Sequence, residues 1–367
     1  MKVDYLFFSN LTNSKNQYDF TLSQGISKNN AYYKPVFFEL NDSIFGSLIV
    51  LEMFSDESLY KRGIIKARKQ FLLALQYAVE RFDVKIILLA ASTKRLFGKE
   101  AEIRVNWDGL QDNEGFTIQE LYPDVIFTNG DNGTSVIFNA EIDRIVENAN
   151  IQNNGNNVLI NGLGLLGTDA LKHLLMKKLN PEQIYIISSH TKELKELINT
   201  NNIKVFDTIQ NIPQSEAKKI TAIINCTHNP KSIITSDCIS YMQDSQPIHV
   251  IDVAVPYGFP EEEFSKCKNV IRQDGGNAYI AEGLEFFFNP EICGLTENVL
   301  YGCFAEAMCL GAYLKENPNK KEFISGFDYF NVNEKTKKFV SELFQNYGVG
   351  IAPVPYNFMK INSLEND

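Results

Sequence analysis

Histidine is scarce in this 367-residue chain, tryptophan occurs once, and basic residues are outnumbered by acidic ones. The four histidines (173, 190, 228 and 249) are scattered. The six cysteines, Cys226, Cys238, Cys267, Cys293, Cys303 and Cys309, contain no CxxC pair. Zinc-ligand spacing is therefore missing, and no metal is expected. Lysine and arginine total 35 against 45 acidic residues, a net charge of −10. That balance argues against general nucleic-acid binding, which needs basic surface to neutralise phosphates. It leaves room for a local basic patch. The opening residues, MKVDYLFFSN, lack the apolar stretch of a signal peptide. The most apolar run, IFGSLIVLEMF, falls short of the roughly 20 residues that cross a bilayer. A cytoplasmic protein with reduced thiols and no transmembrane segment is expected.

What is present is an ordinary globular balance, 44% apolar and 22% charged, in a chain long enough for two or three domains. Residues 1–150 read as a mixed α/β substrate or carrier-protein domain. KPVFFEL and SIFGSLIVLEMF look like adjacent strands. Ser55 and Asp56 offer caps for a long amphipathic helix whose first half carries Lys61, Arg62, Lys66, Arg68 and Lys69. VKIILLAA reads as a buried strand, TNGDNGTS as a loop and VIFNAEIDRIVENA as a helix. NIQNNGNN is polar and turn-rich and marks a boundary. Beyond it, in residues 151–276, short apolar strands alternate with helices, the pattern of a Rossmann-like parallel sheet. Residues 277–367 read as mostly helical. The expected fold class is α/β throughout.

NVLINGLGLLGTDALKHLL holds Gly162-x-Gly164-x-x-Gly167 directly after a strand and at the opening of a helix, the context that gives this motif meaning. Gly162 permits the tight turn, Gly164 lets a pyrophosphate approach the backbone, and Gly167 lets helix and strand pack closely. Leu165 and Leu166 lie between them, at a helix N-terminus whose free N–H groups suit phosphate. The second strand ends in Ser188, Ser189, His190, Thr191 and Lys192. An NAD site usually has an acid there, whereas hydroxyls and a lysine suit a 2′-phosphate, so NADPH is favoured. Cys226, Thr227 and His228 follow the fourth strand and should lie near the cofactor. His228 could donate or relay a proton, although such a residue more often serves as a loop hydrogen-bonder.

GCFAEAMCL, residues 302–310, poses a sharper question. Thr296 can cap a helix from Glu297 to about Lys315, with Leu300, Cys303, Ala307, Leu310 and Leu314 on one face. Pattern alone makes Cys303 and Cys309 small core residues. Gly302, a poor helix former, clears space beside Cys303, and Glu306 falls on the same side three residues on. Glu306 could move a proton, but as a negative neighbour it raises a thiol pKa and cannot itself stabilise a thiolate.

The run YGCFAEAMCLGAYL closely resembles the segment around the nucleophilic cysteine of cyanobacterial-type long-chain acyl-acyl carrier protein reductases, with CFAEAM matching as it stands. FFSNLTN, KARKQFLLAL, FTNGDNGTSVIF, the glycine loop, VIDVAVP and DGG (274–276) recur in the same order. The resemblance covers most of the chain at modest identity. It implies that Cys303 accepts a fatty acyl group from acyl carrier protein as a thioester, and that NADPH reduces this to an aldehyde. It also gives the basic helix a use, as a dock for an acidic carrier protein, and it brings in an aldehyde-consuming enzyme as a partner. The chain departs from the family in having NGLGLLG for its GATGxxG loop, DVAVPYG after the fifth strand, and Ser189 where a basic residue is usual. Alternatives are the same chemistry on acyl-CoA or a specialised carrier, a shikimate-dehydrogenase-like or glutamyl-tRNA-reductase-like enzyme, and a non-catalytic nucleotide-binding partner protein.

Overall fold

The computed structural model describes residues 2–361 apart from 13, 28, 58, 59, 150, 152–155, 189, 190, 192, 193, 201, 202, 228 and 245. The chain divides into two compact units: residues 1–134 with 278–350, and residues 135–277 with 351–367. Most of the C-terminal stretch that reads as mostly helical, residues 278–350, groups with the N-terminal residues. It also contains strands, among them Leu284–Phe286 and Val299–Tyr301.

The first unit is built on β1 (Tyr5–Leu11), β2 (Val36–Leu40), β3 (Ile44–Phe54), β4 (Ile86–Leu89) and β5 (Ile126–Thr128). Leu284–Phe286 forms the edge of this sheet, followed in space by β2, β3, β1, β4 and β5. The two adjacent strands expected from KPVFFEL and SIFGSLIVLEMF are β2 and β3, which pair antiparallel. β3, β1, β4 and β5 run parallel to one another. The central β1 and β4 are near-continuous apolar runs because both of their faces are covered. The Lys61–Phe82 helix buries Ala67, Phe71, Leu72, Leu75 and Ala78. It has no side-chain cap, and the Glu57 carboxylate instead accepts the Phe54 N–H at 2.7 Å. The Gly302–Glu316 helix is buried on every side from Phe304 to Ala312, as an apolar helix with no polar face must be. Phe304 packs on Phe7 of β1 with ring centroids 4.2 Å apart.

The second unit holds β6 (Asn157–Asn161), β7 (Ile184–Ile187), β8 (Lys204–Phe206), β9 (Ile220–Asn225), β10 (Ile248–Asp252) and β11 (Val270–Asp274). Their spatial order is β8-β7-β6-β9-β10-β11, all parallel. This is the doubly wound arrangement expected from the strand–helix alternation. Its order reverses between β6 and β9, the place where such sheets open a crevice for a dinucleotide.

Candidate functional site

The glycine turn leaves β6 at that switch point. Gly162 has φ of +95°, a region that L side chains avoid, and a Cβ there would come within 2.7 Å of the Thr227 Cβ. A Cβ on Gly167 would lie 1.9 Å from the Gly162 carbonyl oxygen, so helix and strand meet too closely for any side chain. A Cβ on Gly164 would meet nothing within 4 Å, and the backbone there is open to an approaching group. The three glycines therefore have separate geometric reasons, and together they leave a cradle that fits a pyrophosphate. Gly164 is also the N-cap of the Leu165–Met176 helix, so the exposed Leu165 and half-buried Leu166 bring free N–H groups to this opening.

The other expected cofactor residues are placed unevenly. Ser188 is half-buried just past β7. Ser189, Lys192 and His228 lie outside the described residues, and so does His190. Cys226 and Thr227 follow β9, and the Cys226 N–H donates to the Asn161 carbonyl at 2.9 Å. Burial and the Asp252 charge push the Cys226 thiol far up, so it stays protonated. Thr227 accepts the Asn229 N–H at 3.1 Å.

In the first unit the helix does not begin at Thr296. Thr296 bridges to Val299 in a tight turn, Val299–Tyr301 is a strand, and the helix starts at Gly302. Cys303 therefore stands in the first helical turn, not the second, where the free N–H groups and the positive dipole end favour a thiolate. The start of the helix abuts the turn after β5. A Cβ on Gly130 would fall 2.3 Å from the Cys303 Cβ, and one on Gly133 would fall 2.6 Å from the Gly302 carbonyl oxygen. Glycines are needed here because the two segments touch backbone to backbone. Asn132, fully buried, fixes this turn by donating to the Asn331 carbonyl and accepting the Asn333 N–H, each at 3.1 Å.

Glu306 has 0% exposure. One of its oxygens accepts the Thr128 hydroxyl and the other accepts the Gly133 N–H at 2.6 Å. It clamps the end of β5 to the helix. Burial, partly offset by these bonds, raises its carboxyl to about 7.

Two groups near Cys303, Lys94 and Asp131, were not legible in the sequence, and neither was Thr128, the partner of Glu306. Lys94 comes from the short Ala91–Arg95 turn after β4, which is pinned by the Thr93 hydroxyl on the Ala90 carbonyl (2.6 Å) and by the Ser92 N–H on Asn10 (2.9 Å). Its ammonium pairs with Asp131 at 3.0 Å, with 34% and 8% of the two side chains exposed. Burial pushes the Cys303 thiol up to about 12. The Lys94 charge and the Phe304 N–H pull it down, while Asp131 and Glu306 push it up. Lys94 is thus the cation nearest in effect to the thiol, and Asp131 competes for it.

The basic helix is not uniformly available for docking. Arg68 is 5% exposed and its Nε donates to the Leu96 carbonyl at 2.6 Å, so it is a core residue and drops out of the docking set. Lys69 pairs with Asp108 at 2.8 Å and Lys66 with Glu57 at 3.4 Å, both on the surface. Lys61 and Arg62 are exposed. Among the described residues, no helix is long and apolar enough to cross a membrane.

Comparison with known proteins finds a family match within the second unit. Residues 141–270 match the family model described as shikimate / quinate 5-dehydrogenase, about a third of the chain. No curated protein matches. Similar solved structures include L-tryptophan dehydrogenase from Nostoc punctiforme, at 11% identity and a TM-score of 0.35, covering 94% of this chain and 88% of that one. A malic enzyme from Entamoeba histolytica has 10% identity and a TM-score of 0.37, with 94% and 76% covered. Another malic enzyme, from Pyrococcus horikoshii, has 12% identity and a TM-score of 0.32, with 76% and 71% covered. Scores this low carry no functional weight by themselves. The domain match and the glycine cradle together make the protein an oxidoreductase of the dehydrogenase type with a nicotinamide dinucleotide cofactor.

Proposed function

We propose that the protein reduces a fatty acyl thioester to an aldehyde through an acyl-Cys303 intermediate, with NADPH as the reductant. The observation that carries this is the setting of Cys303: the first turn of a buried helix, with two glycines cleared against it and the Lys94–Asp131 pair beside it. The helix that carries Cys303 packs into a buried aromatic cluster, which gives the thiol an apolar neighbourhood. Phe304, Tyr301, Phe7 and Phe38 form a chain of ring contacts with centroids 4.2–5.5 Å apart, and Phe286 and Phe288 extend it.

The Cys303 thiolate adds to the acyl carbonyl carbon and the carrier sulfur leaves with the bonding pair, so one thioester is exchanged for another. When bound, NADPH would supply a hydride, which would turn the acyl carbon held on Cys303 into the tetrahedral oxyanion of a hemithioacetal. Its C–S bond then breaks, the electrons return to the Cys303 sulfur, and the aldehyde leaves. Removal of the thiol proton is the costly step, since burial holds the thiol near 12. Release of Lys94 from Asp131 towards the sulfur lowers that cost. Glu306, held by Thr128 and Gly133, positions the helix and does not reach the substrate. His228, Ser189 and Lys192 stay in the proposal as proton donor and 2′-phosphate contacts on the strength of their sequence positions alone. Exposed Lys61 and Arg62, with Lys66 and Lys69, remain the proposed dock for an acidic acyl carrier protein. An aldehyde-consuming enzyme would be the next partner.

A second proposal is oxidation of a small polar hydroxy acid by a shikimate/quinate-type dehydrogenase. The match over 141–270 favours it more directly than it favours thioester reduction. In that case the half-buried Lys94–Asp131 pair would take the hydroxyl proton, and Cys303 would only pack. The test is turnover of acyl carrier protein thioesters, acyl-CoA, shikimate and quinate by wild type and Cys303→Ala. Aldehyde formation abolished in Cys303→Ala is expected. Oxidation of shikimate or quinate, undiminished in Cys303→Ala, would overturn the first proposal in favour of the second.

A further inference from the structure

Each of four adjacent parallel strands in the second unit ends on a buried polar residue, and the four are in register. Asn161 of β6 sits opposite Asn225 of β9, which is opposite Asp252 of β10, which is opposite Asp274 of β11. Their exposures run from 0% to 3%. The Asn161 amide donates to Asn225 at 2.8 Å, the Asn225 amide to Asp252 at 2.7 Å, and Arg272 to both Asp252 (3.3 Å) and Asp274 (2.7 Å). A continuous polar belt thus runs along the carboxyl edge of the sheet, from the residue before the glycine turn to β11. The buried polar groups at this edge partner one another, so the belt is a rigid floor.

The far end of this floor holds a hairpin. Tyr356 pairs with Ile361 and Asn357 with Lys360, leaving a two-residue loop, Phe358–Met359. Arg272 donates to Asn357 at 2.7 Å, and its guanidinium lies 3.9 Å from the centre of the Phe358 ring and 4.5 Å from that of Tyr257. The Met359 N–H donates to Asp274 at 2.7 Å. Phe358 and Met359 have φ of +51° and +58°. Two-residue hairpin loops of this kind favour Asn-Gly because both residues need positive φ. Two bulky apolar side chains are a strained choice, and strain of this sort concentrates at ligand-binding sites. Both side chains remain partly exposed.

The geometry gives these side chains a use. With the pyrophosphate on the turn after β6, and the 2′-substituent of the adenosine ribose read after β7, the other half of the dinucleotide extends towards β9 and β10. Tyr257, in the loop after β10, touches Phe358 edge-on at 5.3 Å. We infer that Phe358 and Met359 wall the nicotinamide half of the cofactor site, with Arg272 and the polar belt as their positioning residues. This rests on the nicotinamide-cofactor assignment.

Met359→Gly tests it. Glycine adopts positive φ freely, so the variant relaxes the turn while keeping the N–H bond to Asp274 and the Phe358 stack on Arg272, and gives up the contact of the Met359 sulfur with the Asn277 amide at 3.5 Å. Binding of NADPH, NADH and ADP would be titrated for wild type and variant, with thermal unfolding alongside. The expected result is about tenfold weaker NADPH and NADH binding, the scale of one lost apolar contact. ADP affinity should be unchanged, and the melting temperature close to that of wild type, because relief of the positive-φ strain offsets the lost Asn277 contact. Phe358→Gly should weaken the two cofactors in the same selective way. Unchanged NADPH affinity in both variants, or equal losses for NADPH and ADP, would overturn the inference. A wild-type protein that binds neither dinucleotide would remove the cofactor assignment itself, and this inference with it.

Discussion

Replacing Glu306 by glutamine should make the first unit more stable at neutral pH, by an amount that grows with pH. The carboxyl is fully buried and is raised from an ordinary 4.5 to about 7, mainly by burial. Below pH 4.5 it is protonated in both the folded and the unfolded chain. Between 4.5 and 7 the unfolded chain releases the proton while the folded one keeps it, so wild-type stability falls as pH rises and the loss is complete above 7. At about 1.4 kcal/mol per pH unit, that window costs about 3 kcal/mol. Glutamine does not titrate, and it fits: its oxygen can accept the Gly133 N–H and its amide can donate to the Thr128 hydroxyl oxygen. The single tryptophan, Trp107, belongs to the same unit and packs on Phe116 at 5.2 Å, so its fluorescence follows this unit during urea unfolding. The stability difference between variant and wild type should widen by about 3 kcal/mol from pH 4.5 to 7.5. Parallel pH curves would mean that Glu306 titrates normally and that its burial has been misjudged.

Other consequences are as direct. Gly162→Val places a β-branched residue at φ of +95° and within reach of Thr227, so NADPH titration should show binding weakened at least about tenfold. Alkylation of Cys303 by iodoacetamide, followed by intact mass, should be slow at pH 7 and rise about tenfold per pH unit towards 12, and Lys94→Met should slow it further. Gly130→Ala should cost about 2 kcal/mol or more in urea unfolding, because its Cβ meets Cys303 at 2.3 Å and neither backbone can yield cheaply. Arg68→Met should lower stability without changing carrier-protein affinity, while Lys61→Glu with Arg62→Glu should weaken that affinity in a salt-dependent way, measured by titration at two ionic strengths.

Local signals in the sequence were readable where one stretch carried all of its own constraints. The glycine turn was readable because strand, turn and helix are contiguous, and the backbone geometry at each glycine is the one its position in the motif implies. The strand–helix alternation likewise pointed to the parallel sheet. Failures came where a tertiary partner decided the outcome. Thr296 and Glu297 look like a helix start, but Thr296 closes a turn onto Val299 and delays the helix to Gly302. Arg68 shares a basic run with exposed neighbours, and only the carbonyl of Leu96 explains its burial. Lys94 and Asp131 meet beside Cys303 from turns after two different strands, a proximity that no spacing rule encodes. A usable signal for the polar belt was present: NVLIN, TAIIN, IHVID and VIRQD all end on Asn or Asp. Such a series in consecutive apolar strands marks one edge of a sheet.

The central claim is that Cys303 carries the substrate, and it is tested most directly by intact mass spectrometry of the protein mixed with a long-chain acyl carrier protein thioester and no NADPH. An adduct of one acyl group is predicted on wild type, absent from Cys303→Ala, and discharged as free aldehyde when NADPH is added. An unmodified wild-type mass with both the carrier thioester and acyl-CoA, together with no aldehyde after NADPH addition, would contradict the account and return Cys303 to the core.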